Sequence, residues 1–246
     1  MSEKLTATII TKNEEKNIDR CLKSLNWVDE IIVVDSYSED STVEICKKYN
    51  CKIIQQEWQG FGKTKRHAVN LTENDWILSI DADEVVSEQL REQIKEVLTD
   101  PDAVGYNIRR KSFYLGRLIN FSGWNSDYPL RLFNKKFGNY NEKTVHEYVE
   151  LRGNRKKIEE YILHYTYPTL HTHIEKINKY SDLSAAELIK NGKHYGILLS
   201  VFFGINRFLK MYFLQLGFLD GAEGFILAFN SAFGVFLKYI KTRNRK

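Results

Sequence analysis

From residue 6 to residue 81 the chain alternates short β-branched runs with longer amphipathic ones. Residues 6–11, 30–35, 52–56 and 76–81 read as strands. Between and after them, residues 15–25, 42–49, 63–70 and 87–98 carry apolar positions at three- and four-residue spacing, which predicts helices. That succession is the βαβ rhythm of a parallel sheet in an α/β protein. From 102 to about 166, strand signals at 105–110, 131–133 and 161–164 are separated by longer loops rich in Tyr, Asn and Gly. Loops of this kind usually carry function. After Pro168 the pattern is helical over 174–191 and continues in two apolar blocks, 197–217 and 224–240.

Composition adds few constraints. A chain of 246 residues, 43% hydrophobic and 28% charged, can form one large globular domain or a domain plus an appendage. No charged stretch followed by an apolar one opens the chain, so a cytoplasmic location is expected. Cys21, Cys46 and Cys51 make no CxxC pair and are assigned packing roles. The net charge of +4 is too small to argue for nucleic acid, but its distribution is uneven. From Lys190 onward nine Lys and Arg face only Asp220 and Glu223, so this tail is +7 and the remainder −3.

The sharpest local feature is Asp81-Ala82-Asp83-Glu84, directly after the fourth strand. In an open α/β sheet ligands bind beyond the carboxyl ends of the strands. Carboxylates there suit Mg2+ or Mn2+ bridging a diphosphate, although two Asp residues at a strand end also serve as a helix cap and a solvated turn. Asp35-Ser36 ends the second strand and Thr11-Lys12-Asn13-Glu14 the first, so three polar strand ends share one edge. Gly60-Phe61-Gly62-Lys63-Thr64 lacks the first glycine of a phosphate-binding P-loop, since position 57 is Glu57. It opens a helix that carries Lys63, Lys65 and Arg66, cations suited to diphosphate charge.

Taken together, residues 9–14, Val33-Val34-Asp35-Ser36 with Asp40 and Thr42, and Asp81-Ala82-Asp83-Glu84 resemble glycosyltransferase family 2. Arg131-Leu132-Phe133, Val145-His146-Glu147, His164-Tyr165 and Gly217-Phe218-Leu219-Asp220-Gly221 look like its branch of lipopolysaccharide core β-glucosyltransferases. The resemblance implies a GT-A fold: a Rossmann-like, mostly parallel central sheet with flanking helices. Residues 1–168 would form this domain, with a nucleotide-sugar half to about 100 and an acceptor half from about 101. Residues 169–246 would be a helical, membrane-associating extension.

The implied reaction is an inverting transfer of a hexose, glucose in the lipopolysaccharide branch, from a UDP-linked donor to a lipopolysaccharide-core or related lipid-linked glycan. The implied donor-binding set is Thr11, Asn13, Glu14, Asp35, Ser36, Lys63, Arg66, Asp81, Ala82, Asp83 and Arg131. Asp83 would hold a divalent cation, Mg2+ or Mn2+, with His164 as a second ligand. Inversion needs a carboxylate to deprotonate the acceptor hydroxyl. Glu147 is the choice and Asp127 the alternative. For His164, a core histidine bonded to backbone is the competing role, as an ion pair is for Arg131. His171 and His173 are assigned to structure or to an acceptor loop.

Uncharged stretches at 211–219 and 224–237 are shorter than the roughly 20 residues a spanning helix needs, so neither is expected to cross a membrane. Followed by Lys238, Lys241, Arg243, Arg245 and Lys246, they suit helices lying on the cytoplasmic face of the inner membrane. Packing on the catalytic domain or a dimer contact is the alternative. Four other activities compete: a polyprenyl-phosphate or capsule transferase, a D-x-D phosphatase, a nucleotidyltransferase, and a non-catalytic sugar-nucleotide binder. The phosphatase motif normally ends the first strand, whereas this one ends the fourth.

Overall fold

The computed structural model describes residues 3–124, 127–143 and 147–243. In chain order its elements are β1 (Leu5–Thr11), α1 (Ile18–Lys23), β2 (Glu30–Asp35), α2 (Thr42–Cys46), β3 (Lys52–Gln55) and α3 (Phe61–Asn70). Then come β4 (Trp76–Asp81), β5 (Glu84–Val86), α4 (Glu88–Val97), β6 (Gly105–Tyr114), β7 (Arg117–Leu118), β8 (Leu130–Asn134), β9 (Gly138–Tyr140), β10 (Val149–Leu151) and β11 (Arg155–Tyr167). Three helices follow, α5 (Leu170–Lys190), α6 (Ile197–Leu209) and α7 (Gly221–Ile240). The chain divides into two units, 1–110 with 128–164, and 111–127 with 165–246.

In the first unit, β3, β2, β1 and β4 lie side by side in that order and all pair in parallel. Alternation along each strand sends side chains to opposite faces. Ala7, Ile9, Val33, Leu78 and Ile80 pack with Ile18, Leu22, Leu90 and Ile94 of α1 and α4. On the other face, Ile10, Ile32 and Val34 pack against Ala68 of α3. Strands covered on both faces are the expected state of a parallel βαβ sheet. β8 adds antiparallel to β4, in register Ile77 to Phe133, and the sheet continues through β6, β11 and β5.

This strand order creates a switch point of the kind at which open α/β sheets bind ligands. The path from β1 runs outward to β2 and β3, then returns to β4 on β1's other side, so the helices leave in opposite directions between β1 and β4. Thr11 pairs across to Asp35, and Ile10 to Asp81, at the carboxyl ends that border this gap. Asn13 and Tyr37, just past two of these ends, hold φ of 56° and 53°. Non-glycine residues rarely adopt such values, and they cluster at functional sites.

The second unit is a β-hairpin segment with the three C-terminal helices. Leu115 and Gly116, both at positive φ, make the two-residue turn between β6 and β7, as the twist of such hairpins requires. α5 starts at Thr169, whose side chain accepts a hydrogen bond from the Thr172 N–H. α6 passes into a single π-helical stretch, Lys210–Leu214, and a short 3-10 turn, Gly217–Asp220, leads into α7. A Cβ on Gly224 would meet the Gly217 carbonyl at 2.0 Å, so this fold-back depends on the missing side chain. The buried Asp220 carboxylate accepts from the N–H groups of Asn120 and Phe121 and from the Ser122 hydroxyl, fixing that loop to the start of α7.

Including their few charged residues, the segments Ile197–Leu214 and Gly217–Ile240 reach 18 and 24 residues and are long and apolar enough to cross a membrane. This corrects the length argument above. Counting only between charges stops at Lys210, Glu223 and Lys238, whereas the helical segments include those residues.

Candidate active site

The end of β4 is built around an ionic lattice. Asp81 Oδ1 lies 2.8 Å from Lys65 Nζ, and its Oδ2 lies 2.5 Å from Arg131 Nη2. The same guanidinium nitrogen is 2.6 Å from Glu84 Oε1, and Arg110 reaches that oxygen at 3.3 Å. Glu84 Oε2 accepts the Asp81 N–H at 2.9 Å, closing the turn beneath the motif. Burial alone would raise the Asp81 carboxyl, but Arg131 and Lys65 overcome it and hold the group well below the usual carboxylate range. Burial opposes the charge on Lys65, yet Asp81, Tyr140 and Glu147 outweigh it and the ammonium keeps its proton.

Each partner arrives for a structural reason. Antiparallel pairing of β8 with β4 brings Arg131 beside the motif. Lys65 is on the buried face of α3, where its ammonium also lies 5.6 Å from the Tyr140 ring. Tyr140 is anchored by its hydroxyl to Ser79 Oγ at 2.9 Å. The segment entering the Glu147 loop passes so close to α3 that a Cβ on Gly62 would meet the Asn141 carbonyl at 2.4 Å. There the Gly62 N–H donates to the Lys143 carbonyl at 3.0 Å. This approach accompanies Glu147, whose Oε1 lies 3.0 Å from Lys65 Nζ. Lys65 therefore joins the first Asp of the motif to the candidate base.

Asp83 is arranged differently. Its Oδ2 lies 3.3 Å from His164 Nε2, because pairing of β11 with β5 sets His164 opposite Glu84, next to Asp83 in the chain. A carboxylate oxygen and an imidazole nitrogen at this separation can ligate one divalent cation, while Asp81 is occupied by its two cations. Among the described residues no group of three or more His, Cys, Asp or Glu side chains forms a ready metal cage. One or two carboxylates, with the remaining oxygens from substrate phosphates, is how Mg2+ is commonly held, and Mn2+ accepts an imidazole more readily. The pair fits the implied ion.

At the ends of β1, β2 and β3 the polar groups are arranged for a further ligand. Thr11 Oγ1, Ser36 Oγ and Gln56 Nε2 are buried and have no hydrogen-bond partner among the described residues. Buried polar groups are normally satisfied, so three vacancies at one sheet edge call for outside donors and acceptors. Asp35 is fully buried and accepts from the Ser38 N–H, the Ser38 hydroxyl and Gln55 Nε2. Asn13 and Glu14 are tied to the next loop: Asn13 Oδ1 accepts the Glu39 N–H, and the Glu14 N–H donates to Thr42 Oγ1.

The structure thus gathers Asp81, Asp83, Arg131, His164 and Glu147 in one cluster, and Thr11, Asp35 and Ser36 at the adjoining strand ends. Ala82 is buried beside them, Lys63 is exposed, and Arg66 donates to the Tyr140 carbonyl at 2.9 Å. Asp127 belongs to the second unit, and His146 lies outside the described residues. Lys65, Glu84 and Gln56 were not in the donor-binding set drawn from sequence. Lys65 had a legible signal, since it falls three and four residues before the buried Ala68 and Val69 on an apolar helix face.

The profile of Glycosyl transferase family 2 matches residues 6–163. The chain is 34% identical to an uncharacterized glycosyltransferase of Rickettsia typhi, over 98% of this chain and 87% of the relative. It is 30% identical to the lipopolysaccharide core biosynthesis glycosyltransferase LpsC of Rhizobium meliloti, over 98% and 92%. Among solved structures, S. aureus TarS 1–349 in complex with UDP-GlcNAc aligns with a TM-score of 0.52 at 16% identity, over 95% of this chain and 81% of that one, a likeness of fold. A parallel half-sheet with its crevice at the β1/β4 gap and an acidic motif at the end of β4 is the GT-A class of fold. The chain belongs to glycosyl transferase family 2 and is a glycosyltransferase.

Proposed function

We propose that this chain is an inverting, metal-dependent transferase that moves a hexose from a UDP-linked donor to a lipopolysaccharide-core or related lipid-linked glycan. The observation that carries this reading is the division of labour in the acidic motif. Lys65 and Arg131 neutralise Asp81, while Asp83 Oδ2 faces His164 Nε2 at 3.3 Å. The Thr11, Ser36 and Gln56 atoms, with Asp35, suit a nucleoside; the TarS complex with UDP-GlcNAc supports a uridine donor, and the likeness to LpsC a lipopolysaccharide-core acceptor.

In the proposed reaction the acceptor oxygen bonds to the anomeric carbon as the bond from that carbon to the diphosphate oxygen breaks. Glu147 takes the hydroxyl proton, and attack from the face opposite the diphosphate inverts the anomeric centre. Lys65 holds Glu147 through Oε1 at 3.0 Å. Asp83 and His164 would hold a divalent cation, which when bound offsets negative charge on the departing diphosphate. Lys63 and Arg66, at the start of α3, add positive charge toward it.

The basic, apolar extension supports a location on the cytoplasmic face of the inner membrane, where a lipid-linked acceptor would be presented. The test is transfer of radiolabelled hexose from UDP-glucose and UDP-galactose to truncated lipopolysaccharide cores with Mn2+ or Mg2+, with anomeric configuration read by NMR. Transfer with inversion is expected. Phosphate release from a generic monoester without any glycosyl transfer would replace this reading with the phosphatase one.

A further inference from the structure

The second unit carries an apolar surface that the proposed chemistry leaves unused. α6 presents Leu198, Phe202, Ile205 and Leu209 outward, and α7 presents Phe225, Phe229 and Phe233, all among the exposed large hydrophobic residues. At 3.6 residues per turn these positions share one face of each helix. Arg207 on α6, Lys210 at the start of the π-helical stretch, and Lys238 on α7 fall on the flank away from it. The helices approach closely at Gly204, where a Cβ would lie 3.2 Å from the Ala232 carbonyl. Beside that crossing, within the exposed face, runs a groove of about 370 Å³. Val201, Ile205, Phe208, Phe225, Phe229 and Phe233 line it, and among the described residues no polar side chain does.

We propose that this groove binds one hydrocarbon chain of an anionic membrane phospholipid. A peptide laid there would bury N–H and C=O groups with nothing to bond them, whereas a hydrocarbon chain loses nothing on leaving water. The volume falls within the roughly 300–1,000 Å³ of small-ligand pockets. A second copy of the chain is the poorer occupant. Each tail from Lys190 carries nine Lys and Arg against two acidic residues, so pairing two would bring like charges together. An anionic lipid surface neutralises the same charges, and long basic side chains on the far flank can reach its head groups while the apolar face is immersed. The slot would fix the hairpin's depth and rotation in the lipid rather than merely its attachment. This proposal rests on the membrane-surface reading above.

The test uses the full chain and a monomeric lysophosphatidylglycerol with a pyrene-tagged acyl chain, added below its micelle concentration, with binding followed by anisotropy. Saturable binding of one probe per chain is expected. Ile205→Trp, which fills the groove from a half-exposed rim, is expected to weaken it about tenfold or more. The same variant is expected to sediment undiminished with phosphatidylglycerol/phosphatidylethanolamine vesicles, since its apolar face is kept. If circular dichroism shows that Ile205→Trp is misfolded, Val201→Trp takes its place. Unsaturable binding, or equal affinity in wild type and a folded variant, would overturn the proposal. So would a groove closed by a dimer in ultracentrifugation, or equal affinity for the matching lysophosphatidylcholine. Probe binding retained without vesicle binding would instead fail the membrane-surface reading while leaving the groove assignment standing.

Discussion

Lys65 Nζ lies 2.8 Å from Asp81 Oδ1 and is almost wholly buried, so the first carboxylate of the acidic motif is held by a cation from a helix sixteen positions earlier in the chain. The same ammonium is 3.0 Å from Glu147. One side chain thus couples the geometry of the donor-side motif to that of the candidate base. Removing it leaves Asp81 to Arg131 alone and takes this cation from Glu147.

Lys65→Met is accordingly expected to lose both stability and transfer. Breaking one side of a buried ion pair costs about 3–5 kcal/mol, and the low end applies here because the Asp81 side chain keeps some contact with water. Urea unfolding monitored by fluorescence, alongside turnover, checks this. Stability within about 1 kcal/mol of wild type with unchanged transfer would show that the lattice is incidental.

Glu147→Gln keeps the shape of the side chain and removes its basicity. Transfer is expected to fall by about 10²–10⁴-fold, the usual contribution of a general base, while UDP-sugar affinity stays close to wild type. Calorimetry for donor binding and single-turnover transfer separate the two. Unchanged turnover would move the role to another carboxylate, with Asp127 the next to substitute.

His164→Ala is expected to weaken Mn2+ binding in the presence of UDP by about 10-fold or more, with Asp83→Ala weaker still because it also removes the charge. Electron paramagnetic resonance of free Mn2+ reports this without any acceptor. Wild-type affinity in His164→Ala would reduce the histidine to an ion-pair partner of Asp83.

In the second unit, His173 Nδ1 lies 2.8 Å from the Tyr114 hydroxyl and 3.4 Å from Asn230 Nδ2. Burial, with Lys176 adding to it, pushes His173 down from 6.5 to about 4. Between those values the unfolded chain binds the proton and the folded one does not, so stability rises with pH across the window and is lost as pH falls. From pH 7 to pH 5 this histidine alone is expected to remove about 2 kcal/mol. Urea midpoints at the two pH values check it against His173→Gln, in which that part of the dependence should vanish. Equal slopes in both proteins would contradict the buried neutral state.

The β1–β4 half was legible because its signals are local: apolar runs, helical spacing between them, and carboxylates at strand ends. Asp35, Asp81 and Asp83 follow directly once the strands are placed. Partners of those residues come from pairing between distant segments. Arg131 reaches Asp81 through the β4/β8 register, and His164 reaches Asp83 through β5/β11, a pairing in which β5 has only three residues and no periodicity to read. Lys65 was legible as one of three cations at the start of a helix, suited to diphosphate charge, whereas its place between Asp81 and Glu147 was not. Gln56 has no sequence signature, since its meaning lies in an amide left unpartnered at the sheet edge. In the tail, charge-free runs were an imperfect guide to helix length, because isolated charged residues do not interrupt a helix.

The most direct test of the central claim is calorimetric titration of wild type and Asp83→Ala with UDP-glucose, GDP-mannose and CMP-sialic acid, each with and without Mn2+. Binding of the UDP-sugar alone, dependent on Mn2+ and abolished in Asp83→Ala, is the expected result. Binding that ignores the metal and survives the substitution would contradict the assignment of the β4 carboxylates, and no binding of any donor would contradict the nucleotide-sugar site itself.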